Sequence, residues 1–106
     1  LAHASAFYHD VLGFDKMVWQ YPGALFLAAG GYHHHLGTNT WARGASAPDR
    51  DEAQLLEWTI VVPTKADVDA VRTSAPPDIV ERQDDEIVVR DPWGTTVRVR
   101  AARPAP

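Results

Sequence analysis

Hydrophobic positions along the chain change period several times, and each change predicts an element. Ala4, Phe7, Tyr8, Val11 and Leu12 recur at the spacing of one helical face, so residues 1–12 are expected to be helical. Gly13 behind them suits a left-handed C-terminal cap. Phe14, Val18 and Trp19 are β-formers and predict a strand over residues 14–20. Tyr21-Pro22-Gly23 signals a turn, residues 24–29 form a short apolar run that suits a buried strand, and Gly30-Gly31 signals another turn. Residues 32–41 are a further strand candidate and carry His33, His34 and His35 in succession.

Residues 43–54 show no periodicity and contain Gly44, Ser46, Pro48 and mixed charges. Their length exceeds that of an ordinary turn, so they read as a linker between two halves. Residues 55–62 then form an apolar run rich in β-branched side chains. Thr64 followed by Asp67 matches a capped helix start, and Val68, Val71 and Ala75 mark the buried face of a short helix ended by Pro76-Pro77. A weak strand over 78–82, a better one over 86–90, the turn Asp91-Pro92-Trp93-Gly94 and an alternating strand over 95–101 complete the half. Asp91 is expected to shape its turn and to do no chemistry. The two halves share one order of helix and strands. The second has a strand before its helix, whereas the first opens at Leu1 directly in its helix. This predicts a degenerate repeat whose first strand is missing from the sequence.

The 106 residues fit one compact domain, over 1–106, with module 1 at 1–42, the linker at 43–54 and module 2 at 55–102. There is no cysteine, which excludes thiolate metal sites and cysteine nucleophiles. A net charge of -4 without basic runs gives no footprint for nucleic acid. No apolar stretch is long enough to span a bilayer, so no membrane partner is expected and a cytoplasmic location is.

Two motifs carry a resemblance. Phe7-Tyr8 followed by Leu12-Gly13-Phe14 resembles the first helix of the vicinal oxygen chelate superfamily and its exit, and Asp91-Pro92-Trp93-Gly94 resembles that superfamily's hairpin. The stretch from Tyr21 through His33-His34-His35 to Trp41 is similar to a bacterial group of catechol 2,3-dioxygenase-like proteins. The superfamily holds glyoxalases, bleomycin resistance proteins and extradiol dioxygenases. The resemblance implies an α+β fold of two βαβββ modules forming a half-open, barrel-like mixed sheet with flanking helices. It also implies a divalent metal in the cavity, Fe2+ or Mn2+ first and Zn2+ or Ni2+ as alternatives.

Family ligands come from the first and last strands of each module, the last often four residues after the hairpin glycine. Counting from Gly31 gives His35, and counting from Gly94 gives Arg98, which cannot be a ligand. Glu57, six residues before Pro63, falls at the first-strand position of module 2. The implied metal ligands are therefore His35 and Glu57, with His33 and His34 as proton carriers or substitutes. Strand alternation would put His33 on the face of His35 and His34 on the other. Arg98 would anchor a substrate anion, and Tyr32, Trp41 and Trp58 would wall an apolar cleft. Trp19, Trp41, Trp58 and Trp93 are expected in the core or in cavity walls, and His3 and His9 on the surface.

The resemblance implies a metal-dependent, extradiol dioxygenase-like or glyoxalase-like enzyme acting on a small aromatic or carbonyl substrate. The alternative it leaves open is a metal-free small-molecule binding or resistance protein on the same fold, which Arg98 at a ligand position favours. A missing first strand would expose a sheet edge through which a homodimer could form.

Overall fold

The computed structural model describes residues 1–18 and 21–104, with the side chains of Arg82 and Gln83 set aside. The chain divides into two compact units, Leu1–Ala47 and Pro48–Pro106. Both follow the α+β plan expected from the sequence.

Unit 1 begins with a helix, α1, that makes one α turn at Ala2–Ala4 and continues with π-type hydrogen bonding over Ser5–Val11. Ala4, Phe7 and Tyr8 are buried, and the two rings meet edge to face at 4.9 Å. Gly13 exits at a positive φ of 81°, as the cap signal predicts. His9, expected on the surface, is half-buried, and its Nδ1 donates to the Phe14 carbonyl at 2.6 Å, tying α1 to the chain that follows. Three antiparallel strands follow: β1 (Asp15–Lys16), β2 (Ala24–Ala28) and β3 (Leu36–Asn39), ordered β1-β2-β3. Leu25, Leu27 and Ala28 of β2 are buried. Gly23 turns the chain at φ 68°, where a Cβ would lie 3.0 Å from the Thr40 hydroxyl.

Two strand expectations are corrected in unit 1. The strand predicted over 14–20 is regular only at Asp15–Lys16 among the described residues; Trp19 and Gln20 lie outside them. The strand predicted over 32–41 is confined to Leu36–Asn39. The connection before it is long because Gly30 and Gly31 both sit at positive φ, 65° and 75°, and carry the chain away from the ladder. Pairing resumes only where the His35 N–H donates to the Leu27 carbonyl at 2.8 Å.

Unit 2 is a complete βαβββ module. Its elements are β4 (Glu57–Val62), α2 (Lys65–Ser74), a 3-10 turn at Pro77–Ile79, β5 (Val80–Gln83), β6 (Glu86–Arg90) and β7 (Thr96–Ala101). The sheet is mixed and ordered β4-β7-β6-β5, with β4 parallel to β7 and the other pairs antiparallel. Helix α2 starts with the predicted capping box: the Asp67 N–H donates to the Thr64 hydroxyl and the Thr64 N–H to the Asp67 carboxylate. Val68 of α2 and Ile87, Val89, Val97 and Val99 of the sheet form a fully shielded core. The alternate residues Arg98 and Arg100 therefore take the face of β7 away from this core. Asp91 closes the β6–β7 turn by accepting the N–H groups of Trp93 and Thr95, both at 2.9 Å. Trp41, expected in the core or a cavity wall, is 90 % exposed, and Trp93 is likewise exposed at its turn. Among the described residues no helix is long and apolar enough to cross a membrane.

In urea denaturation, Thr64→Ala should lower the unfolding free energy by about 1 kcal/mol through loss of the cap, and Thr64→Ser should stay near the wild-type value. Ile87→Ala should cost about 3 kcal/mol, because the void it leaves lies at a fully buried position.

Candidate functional site

In unit 1 the three histidines lie in the turn between β2 and β3, not on a strand, so the alternation expected of them does not apply. All three are exposed, as is Tyr32. Their rings associate: Tyr32 lies 4.2 Å from His33 and 4.8 Å from His35, His33 lies 4.6 Å from His34, and His34 lies 5.4 Å from Phe26. The turn is thus a cluster of exposed rings in tilted and edge-to-face contact.

The hydrogen bonding of His35 defines its chemistry. Its Nδ1 accepts the backbone N–H of Ala29 at 3.2 Å. A nitrogen that accepts an N–H carries no proton, so the neutral ring holds its proton on Nε2. Ligation of a metal through Nε2 would move that proton to Nδ1, where it would meet the Ala29 N–H head on. As held here, the ring offers a hydrogen-bond donor to its surroundings.

Unit 1 also contains a feature that the sequence pattern gave no reason to expect. An open cleft of about 330 Å³ is lined by residues that include Leu1, Lys16, Val18, Tyr21 and Leu25. Its wall is more apolar than polar, with Ser5, Lys16 and Tyr21 as the polar residues of the lining, and its size is that of a small-molecule site. Lys16 was visible only as a charged residue in a strand, because nothing local to it specifies that α1 and β2 complete a cleft around it.

In unit 2, Glu57 and Arg98 meet. The parallel register pairs Glu57 with Thr96 and Thr59 with Arg98, which puts Glu57 and Arg98 on one face of the sheet. The Arg98 guanidinium donates to both carboxylate oxygens of Glu57, at 3.2 and 3.4 Å. It donates at 2.8 Å to Glu86, a residue of β6 that the sequence gave no reason to single out. The hydrogen bonds it donates to Glu57, and then to Glu86, hold the Arg98 pKa above its ordinary value. The guanidinium consequently stays charged across the working pH range, and this pairing is lost on its side only above the ordinary arginine value. With the Arg98 side chain 23 % exposed, water screens the pairs. Trp58, the neighbour of Glu57, is half-buried on the opposite face of β4.

These residues do not fit a resident divalent metal. His35 is engaged by Ala29 and Glu57 by Arg98. Among the described residues no group of three His, Asp or Glu side chains is arranged to hold an ion.

Comparison with known proteins agrees with the architecture. No family model matches the chain. It is 42 % identical over 97 residues to a catechol-2,3-dioxygenase of Bacillus subtilis, an alignment that covers 87 % of this chain and 34 % of that protein. The chain thus spans about a third of that relative's length. Among solved structures, lactoylglutathione lyase from Agrobacterium tumefaciens matches with a TM-score of 0.62 at 24 % identity, over 96 % of this chain and 85 % of that one. A glyoxalase-related enzyme from Fulvimarina pelagi matches with a TM-score of 0.59 at 16 % identity, over 96 % of this chain and 80 % of that one. The chain is thus similar in sequence to a catechol dioxygenase over part of that protein, and its fold is that of glyoxalase-related structures.

Proposed function

We propose that the chain is a small-molecule-binding module of the vicinal oxygen chelate fold that works without a resident metal and takes a small aromatic or carbonyl compound. The observation that carries this reading is the engagement of both expected metal-ligand side chains by protein groups, His35 by the Ala29 N–H and Glu57 by Arg98. The relationship to a catechol dioxygenase and the glyoxalase-like fold support the class of ligand. The cleft of unit 1 is the place for it: Leu1, Val18 and Leu25 supply apolar wall, and the Lys16 ammonium would pair with a phenolate or carboxylate oxygen.

The 42 % identity favours a second reading, in which the chain is part of a metal-dependent enzyme of the extradiol dioxygenase or glyoxalase kind. Iron or manganese would then be held with groups supplied from outside this sequence, and His35 would have to exchange its bond to Ala29 for the metal.

Catechol, used as a probe, should quench the tryptophan fluorescence of the purified chain to the same extent with and without EDTA, and Lys16→Met should weaken the effect about tenfold. Elemental analysis should find no stoichiometric iron, manganese, zinc or nickel. Stoichiometric metal together with chelator-sensitive ring cleavage would replace the first reading with the second.

A further inference from the structure

We propose that Arg98 is an internal cation that closes the ligand positions of unit 2 to divalent metal. The proposal rests on the metal-free reading and names the residue that enforces it there. Three positions face one another on the same side of the sheet: Glu57 on β4, Arg98 on β7 and Glu86 on β6. Glu57 and Arg98 are also the positions at which, by strand and by spacing from Gly94, the resemblance implies ligands in this module.

The guanidinium takes over both roles a metal ion would have at this point. It supplies positive charge between two carboxylates, and it supplies directed contacts, two to Glu57 and one to Glu86. Guanidinium N–H groups and a metal compete for carboxylate lone pairs, so each one that Arg98 engages is one fewer for a metal. The fixed charge of Arg98 adds repulsion toward any approaching cation. Arg98 offsets part of the charge of Glu57 and Glu86, and Arg100, the register partner of Glu86 on the same face, adds a second cation that opposes a divalent ion.

Replacing the arginine reverses the balance. Arg98→Glu would place three carboxylates on one face, with Arg100 beside Glu86 as the neighbouring cation on β7, a donor set suited to a hard divalent cation. Arg98→Gln would keep Glu57 and Glu86 and remove only the cation.

The test is a titration of the full chain with MnCl2, reading free Mn2+ by electron paramagnetic resonance, with folding verified by circular dichroism. The wild type should show no Mn2+ site that depends on Glu57. Arg98→Glu should gain one equivalent bound at least about tenfold more tightly than to the wild type, and the added change Glu57→Gln should abolish the gain. Should Arg98→Glu fail to fold, Arg98→Gln should show a smaller gain with the same dependence on Glu57. Folded variants that bind Mn2+ no better than the wild type would overturn the proposal, and so would a wild-type site weakened by Glu57→Gln. A wild-type site indifferent to Glu57→Gln would instead sink the metal-free reading, leaving this proposal to the gain in Arg98→Glu.

Discussion

Strand β7 is the constraint on which unit 2 depends, because its alternate side chains bind the sheet together on one face and the helix on the other. Val97 and Val99 are fully shielded in the core that contains Val68 of α2. Burial of apolar area at about 25 cal/mol per Å² drives that packing and fixes the register, since a slip of one residue would carry the arginines into the core. Once the register is fixed, Arg98 has no choice of face. The parallel β4 brings Glu57 to it from one side and the antiparallel β6 brings Glu86 from the other. The ion cluster is thus a consequence of apolar packing on the opposite face.

Much of this was legible before any coordinates. The capping box of Thr64 and Asp67, the buried face of α2, the turn held by Asp91 and the alternation of β7 all rest on local chemistry, and they appear where the pattern put them. The histidine turn was misread for an equally local reason. Residues 32–35 have the composition of a polar strand, but two consecutive glycines at positive φ before them delay the return of the ladder. Trp41 and Trp93 were misplaced because a large aromatic side chain is expected to bury its area, whereas both sit beside turns with no element over them.

The candidate site was less legible than the fold. Spacing from Gly94 pointed to Arg98, and strand position pointed to Glu57, yet nothing in the sequence said that the two would neutralise each other. That needs the parallel pairing of β4 with β7, a contact between residues 41 positions apart. Glu86 went unnoticed because its relevance depends on the β6–β7 register. The tautomer of His35 depends on the Ala29 N–H, which the turn between β2 and β3 brings to it. The ion cluster of Arg98, Glu57 and Glu86 is a relation between three strands, whereas the features read correctly rest on local chemistry.

An arginine in place of a metal changes what a module can do as well as what it can bind. A metal ion with an open coordination position polarises a substrate oxygen while its protein ligands stay in place. A guanidinium whose N–H groups already serve two carboxylates must give up one of them to do the same. On the proposed reading, unit 2 is a scaffold on this face, and contact with a ligand falls to groups of the unit 1 cleft such as Lys16. The same fold can lose its metal chemistry through one side chain while keeping its packing, because the core face of β7 is indifferent to what the other face carries.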